Sequence, residues 1–125
     1  MERGKITISE NGVKITSANG NVWLSEWQIA ELFGVFVSKV SSNIRSILKS
    51  GILWENEILY CYHYANGGSI DWYSLEMIIA LAFRIKSKNS EIFRNWLMKQ
   101  IVVKKMTSPS TTIIVFNSTN RIMLN

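Results

Sequence analysis

Residues 29–44, IAELFGVFVSKVSSNI, contain two short segments with helically spaced apolar residues, joined at Gly34. Two helices can cross closely at such a corner only when a small residue lies where their backbones approach, and Ala30 meets that requirement. Four residues later the turn needs a residue that tolerates a positive φ angle, which Gly34 supplies. The pattern predicts a helix–turn–helix corner, which is found in DNA-binding proteins and also in small helical cores.

The ends of the two helices can be predicted from capping residues. Ser25 is the expected N-cap of the first helix, and Gly34 is expected to end it. The second helix is expected over residues 37–50, with Gly51 after its last turn. Its apolar residues are spaced i, i+4, i+7 and i+8, which is typical of a helix with one buried face: Val40, Ile44, Ile47 and Leu48.

Period-two alternation on both sides of the corner predicts β-strands. Before the corner, apolar residues alternate with polar ones on either side of Asn-Gly pairs at 11–12 and 19–20, which predicts a three-stranded meander over residues 5–25. After the corner, aromatic residues alternate from Ile58 onward, and Asn-Gly-Gly at 66–68 turns the chain back. This second region is expected to be a hairpin with aromatic cross-strand pairs.

Two more helices are expected after the hairpin. Ser74 is the expected cap of a third helix that runs to about Ile85, and Ser87 or Asn89 is expected to begin a fourth. The fourth helix has an apolar face of five residues: Ile92, Phe93, Trp96, Leu97 and Ile101. The element order predicts an α+β, winged helix-turn-helix-like fold in which the second hairpin is the wing.

Length and composition suit a domain that buries its own core. The chain has 125 residues, of which 47% are hydrophobic and 18% charged, and this balance argues against a disordered chain. We assign residues 1–106 to the domain and residues 107–125 to a C-terminal tail, strand-like or disordered, because the composition changes at Pro109. The five tryptophans are expected to be core or interface residues.

The same sequence bears on cellular location. A lone cysteine, Cys61, excludes an intrachain disulfide and is typical of a reducing compartment. The N-terminus lacks the apolar segment of a signal peptide, and the longest apolar run is too short to span a bilayer. We therefore expect a soluble, cytoplasmic protein with no membrane contacts.

The net charge of +5 is unevenly distributed. Residues 77–125 contain a single acid, Glu91, against the following bases: Arg84, Lys86, Lys88, Arg94, Lys99, Lys104, Lys105 and Arg121. The predicted second helix also contains basic residues and no acid. Such asymmetry favours a polyanion as partner, because neutralising phosphates releases counterions, although it could equally form a solvated basic surface.

The second helix is the segment that we expect to enter the major groove of double-stranded DNA. Serine hydroxyls can reach phosphates or base edges but discriminate weakly between bases, whereas basic side chains mostly hold phosphates. The candidate DNA-binding residues on this helix are Ser38, Lys39, Ser41, Ser42, Arg45 and Lys49. A second candidate group lies before the fourth helix, whose N-terminus adds partial positive charge: Arg84, Lys86 and Lys88.

Phe36 and Val37 leave a second hypothesis open. They are apolar at the start of the second helix, where base contacts are usually made by polar side chains. They could touch thymine methyl groups, or they could be covered by another protein. The alternative function is therefore a non-catalytic protein–protein interaction module that uses the same corner and exposed tryptophans.

No group of residues supports an enzyme. Cys61 and His63 lie on one face of a predicted strand, but two ligands are too few for a zinc site. A nucleophilic pair is conceivable, and strand packing explains the two residues more simply. We expect no catalytic activity, cofactor or metal.

Three stretches resemble, in order, the N-terminal region of the RhuM virulence-protein family: VWLSEWQIAELFGV, GGSIDWYSLEMIIALAFRIKS and FRNWLMKQI. The resemblance extends over about residues 20–102. The last helix is also similar to the N-terminal domains of phage antirepressors of the Bro type. The positions that match the RhuM pattern are Val22 to Leu24, Ala30 to Val35, Tyr73, Leu75 to Ile79, Phe83 to Ser87, Phe93, Arg94 and Trp96.

The resemblance implies a DNA-binding, winged-helix-like module of mobile-element or phage ancestry that acts in transcription regulation. Phe36 and Val37 depart from the pattern, because relatives usually have polar or basic residues there. Relatives also continue past the last helix, and the part that they have beyond it could carry an effector activity. A single module binds DNA modestly, and we expect a homodimer, formed through the tail or the fourth helix.

Overall fold

The structure, a computed structural model, describes residues 3–107. This part of the chain contains five helices and two separate antiparallel hairpins, which confirms the α+β class. The strands are β1 (Lys5–Ser9), β2 (Gly12–Thr16), β3 (Leu59–His63) and β4 (Ser69–Tyr73). The helices are α1 (Glu26–Phe33), α2 (Val37–Ser50), α3 (Glu55–Ile58), α4 (Leu75–Ala82) and α5 (Lys88–Thr107).

The chain divides into two compact units, and the boundary lies inside α5, after Arg94. The first unit contains both hairpins, α1 to α4 and the start of α5. The described part of the second unit is the remainder of α5, which ends at Thr107. Residues 108–125, most of the proposed tail, lie outside the described residues. Within residues 3–107, no helix combines the length and the apolar character needed to cross a bilayer.

Both ends of α1 are capped as expected. The Ser25 hydroxyl accepts a hydrogen bond from the Gln28 backbone N–H at 3.3 Å, and the Gln28 side chain accepts one from the Ser25 N–H at 3.0 Å. This reciprocal pair is a capping box. Gly34 ends the helix in the left-handed region, at a φ of 68°. A side chain at Gly34 would be strained there, so the turn requires glycine.

The second helix has the predicted bounds and the predicted buried face. Val40, Ile44 and Ile47 are buried, and Leu48 is half-buried. Ala30 of α1 is buried too, which agrees with the expectation of a small residue where the helices approach. In the turn, Val35 follows Gly34 and donates its N–H to the Ala30 carbonyl at 3.0 Å. We call α1, the Gly34 turn and α2 the α1–α2 corner.

The predicted three-stranded meander is wrong in its third strand. The first two strands pair from Lys5↔Thr16 to Ser9↔Gly12, with the turn one residue earlier than expected. The third segment leaves this hairpin, and Leu24 pairs with Tyr73 of β4 by two backbone hydrogen bonds of 3.0 and 2.8 Å. Pairing with β4 places the chain directly before α1 beside the second hairpin.

The second hairpin forms where it was predicted. Residues of β3 and β4 pair from Leu59↔Tyr73 to His63↔Ser69, and the Asn66 side chain accepts the Gly68 N–H at 3.0 Å in the turn. A one-turn helix, α3, precedes β3 and was not predicted. Its four residues are too few to show a helical period.

The third helix is shorter than predicted, and its cap differs. It ends at Ala82, and beyond this end the Arg94 guanidinium donates to the Ala82 carbonyl at 2.6 Å and also to the Ile85 carbonyl at 3.2 Å. Ser74 occupies the N-cap position, but its buried hydroxyl makes no capping hydrogen bond within the described residues. The fourth predicted helix is α5, and Ser87 accepts the Ser90 N–H at its start, at 3.1 Å.

Phe33 and Phe93 join the α1–α2 corner to the start of α5. Their rings lie edge to face, with centroids 6.0 Å apart and planes at 64°. Both side chains are fully buried. Aromatic pairs with this geometry add stability beyond the area that they bury. This contact therefore holds the corner against the rest of the core.

Candidate nucleic-acid interface

Four polar side chains form a continuous exposed line along α2: Ser38, Ser42, Arg45 and Lys49. Their spacing of i, i+4, i+7 and i+11 keeps them on the side of the helix opposite Val40 and Ile44. At a rise of 1.5 Å per residue the line is roughly 16 Å long. Lys39 and Ser46 are exposed along its edge. The core fixes the direction of this line, because the buried residues set the rotation of α2.

Ser41 does not belong to this line, which corrects the sequence-based assignment. Its side chain is half-buried and its hydroxyl donates to the Glu26 carboxylate of α1. It also lies within hydrogen-bonding distance of the Val37 carbonyl, at 3.1 Å. A hydroxyl held by an acid of the same protein is not available to a base edge. We therefore remove Ser41 from the candidate interface.

Glu26 connects three elements of the first unit. Besides accepting the Ser41 hydroxyl of α2, its carboxylate accepts the Tyr73 hydroxyl of β4 at 3.4 Å. Burial raises the pKa of Tyr73, and the negative charge of Glu26 raises it further. Tyr73 is therefore a neutral hydrogen-bond donor at physiological pH. Through Glu26, the position of α2 is coupled to the second hairpin.

Replacing Glu26 with alanine is expected to lower the free energy of unfolding by about 1–3 kcal/mol, because the buried Tyr73 hydroxyl loses its acceptor. Urea unfolding measures the change. Glu31→Ala is the matched control, since Glu31 is an exposed acid on the same helix, and we expect it to change stability by less than about 0.5 kcal/mol. Equal effects of the two substitutions would contradict the role assigned to Glu26.

Arg84 lies against α2. Its guanidinium donates to the Ser46 hydroxyl at 2.9 Å, across 38 positions in the sequence. One member of the second candidate group is therefore part of the same surface as the first group. Ser46 was not among the predicted site residues; helical spacing places it on the outward side of α2, but no local pattern indicates its contact with Arg84. We call these residues the basic surface: Ser38, Lys39, Ser42, Arg45, Ser46, Lys49 and Arg84.

The other two members of the second group differ from Arg84. Lys88 forms an ion pair with Glu10, its ammonium nitrogen 2.9 Å from the carboxylate. Both side chains are largely exposed, so the pair is weak, and Lys88 remains a candidate phosphate ligand. Lys86 is exposed. Within the described residues, the cations of the basic surface form no ion pair with an acid.

The start of α2 adds to the positive potential of the basic surface. Phe36 is the N-cap residue and provides no side-chain cap, and the first turn contains no acid. No side chain of this first turn offsets the partial positive charge of the helix N-terminus; the acids nearby, Glu26 and Glu31, belong to α1. Ser38 lies in this first turn.

An apolar groove lies beside the start of α2, on the α1–α2 corner. Trp27 is 74% exposed and Phe36 is 85% exposed, which is unusual for aromatic side chains this large. The groove has a volume of about 400 Å³ and is lined by Trp27, Ala30, Glu31, Val35, Phe36, Val37 and Ser38. It borders the basic surface at Ser38 and contains one acid, Glu31.

Cys61 and His63 share one face of β3, as their spacing predicts, and their Sγ and Nε2 atoms are 3.8 Å apart. A hydrogen bond with Asp71 raises the pKa of the Cys61 thiol. A raised pKa keeps the thiol protonated and makes it a weaker nucleophile. Among the described residues, no three His, Cys, Asp or Glu side chains are grouped so that they could hold a metal ion.

Comparison with known proteins adds no relative. The chain matches no protein-family model, no curated protein and no solved structure.

Proposed function

We propose that this chain is a DNA-binding protein of the winged helix-turn-helix type, in which α2 enters the major groove. The observation that supports this most directly is the basic surface, where Arg84 contacts Ser46 of α2 and, among the residues that the structure describes, the cations form no ion pair with an acid. A line of roughly 16 Å suits a helix that follows the groove for several base pairs.

In this proposal the two kinds of side chain have different tasks. Lys39, Arg45 and Arg84 hold backbone phosphates, together with Lys49. Ser38 and Ser42 approach the base edges, where a hydroxyl can donate or accept but discriminates weakly. Affinity therefore depends mostly on the phosphate backbone, and preference for a particular sequence is small.

The remaining elements fit the same proposal. The β3–β4 hairpin follows the corner in the order of a winged helix, and it acts as the wing. The resemblance to the RhuM family is in agreement with a regulatory role in a mobile element. A homodimer would raise affinity, and exposed apolar side chains in the C-terminal unit provide a surface for it: Met98, Ile101 and Val102.

The proposed function is tested by measuring how the affinity for a random DNA duplex depends on salt concentration. With four cations on the basic surface, log K is expected to fall with log salt concentration at a slope as steep as about −3.6. Fluorescence anisotropy with a labelled 20-base-pair duplex, measured at several salt concentrations, gives the slope. Lys14→Ala, which removes an exposed cation from β2, is the control and should leave the affinity unchanged.

The groove beside α2 supports a second candidate, a protein–protein interaction module. Two large aromatic side chains that are mostly exposed are typical of a surface that is covered in a complex. Burial of Trp27 and Phe36 by a partner would depend little on salt, since the contacts are apolar. Duplex affinity that is absent, or indifferent to salt, would favour this candidate over DNA binding.

A further inference from the structure

The β3–β4 hairpin has an aromatic face that the proposed function does not use. Three tyrosines alternate along β3 and its extension, so they lie on one face, and Trp72 of β4 is paired opposite the first of them. We call this the aromatic face: Tyr60, Tyr62, Tyr64 and Trp72. The tyrosines are 44–47% exposed, whereas Trp72 is nearly buried.

Arg3 completes a small cavity on this face. Its guanidinium lies over the Trp72 ring, 4.4 Å from the centroid. The cavity has a volume of about 280 Å³ and is lined by Arg3, Tyr62, Tyr64 and Trp72. The lining therefore combines flat π surfaces with one positive charge and no carboxylate.

The charges indicate which ligand this cavity suits. A cationic ligand is disfavoured, because Arg3 already covers the Trp72 ring and would repel a second cation. A flat ring attached to a negative group fits both parts of the lining, since the ring can stack on a tyrosine and the negative group can pair with the guanidinium. A nucleobase with its phosphate has that chemistry.

We propose that the aromatic face binds an unpaired nucleobase of single-stranded DNA, with Arg3 holding a neighbouring phosphate. Bases in an intact duplex are stacked on each other and cannot reach a tyrosine ring, so the site is selective for unpaired strands. Tyr62 and Tyr64 lie edge to face, with planes at 77°, so a base stacked on one ring cannot also stack on the other.

This site is independent of duplex binding by α2, because none of its residues belongs to the basic surface. Its affinity is measured with a labelled 12-nucleotide oligo-dT by fluorescence anisotropy. The double variant Tyr62→Ala/Tyr64→Ala is expected to weaken binding about 5- to 100-fold, the usual effect of losing one stacked base. Tyr62→Phe/Tyr64→Phe keeps both rings and is expected to bind within about two-fold of the wild type.

Two controls separate this proposal from a general loss of structure or charge. His63→Ala alters the opposite face of the same hairpin and should leave oligo-dT affinity unchanged. Arg45→Ala/Lys49→Ala removes phosphate contacts that any strand can use, and in this background Tyr62→Ala/Tyr64→Ala should still weaken oligo-dT binding while leaving duplex binding unchanged. Wild-type protein that does not bind oligo-dT, or equal losses in the alanine and phenylalanine double variants, would overturn the proposal. Tighter binding of oligo-rU of the same length would overturn its assignment to DNA.

Discussion

The double substitution Arg45→Ala/Lys49→Ala is expected to weaken binding to a random duplex about 10- to 100-fold. Both side chains are exposed on the outer line of α2, one turn apart, and each is proposed to hold a phosphate. Loss of two phosphate contacts should also make the salt slope less steep by about 1.8. Anisotropy titrations of the wild type and the variant over the same salt range measure both quantities.

The change in slope is the more diagnostic of the two results. A variant that folds poorly would bind less tightly, but its remaining native fraction would keep the wild-type slope of log K against log salt. Poor folding can therefore be separated from a loss of phosphate contacts. Because neither side chain packs in the core, we expect the unfolding midpoint in urea to stay the same. An unchanged slope would mean that these cations do not contact DNA phosphates.

Phe33→Ala is expected to lower the free energy of unfolding by about 3–5 kcal/mol, the largest stability effect among our predictions. The side chain is fully buried and forms the edge-to-face contact with Phe93, so its removal leaves a cavity between α1 and α5. A loss of this size is a large share of the stability of a small domain. Urea unfolding followed by tryptophan fluorescence measures it.

The matched control is Trp27→Ala, an aromatic deletion on the same helix. Trp27 is mostly exposed and lies in the apolar groove, so we expect a change of less than about 0.5 kcal/mol. Circular dichroism is the better probe for this variant, since it lacks one fluorophore. Similar losses for Phe33 and Trp27 would contradict the division between core and surface on α1.

The α1–α2 corner could be predicted from the sequence because its determinants are local. Caps act within one turn, as Ser25 and Gln28 do, and a glycine with positive φ ends each helix by itself. The buried face of α2 follows from a spacing that is visible in a single window. The exposed line of four polar residues could be predicted for the same reason.

Several of the errors involve partners that are distant in the sequence. Leu24 pairs with Tyr73 instead of the neighbouring hairpin, and Arg94 of the next helix binds the carbonyl at the end of α4. The sequence pattern places Ser41 among the groove-facing residues, but its hydroxyl donates to the Glu26 carboxylate of α1. Window patterns contain no information about such contacts, and they could not indicate that Arg84 lies against α2. The groove of exposed aromatic residues was anticipated only as an alternative.

The bond between Arg84 and Ser46 has a consequence for the entropy of binding. A free arginine on a surface loses much of its rotamer freedom when it contacts a ligand, and that loss weakens the contact. Arg84 is already held by a neutral hydroxyl, and four of its five N–H donors remain for another acceptor. In the proposed DNA complex, preorganisation of this kind would let Arg84 contribute more to affinity than its charge alone would give.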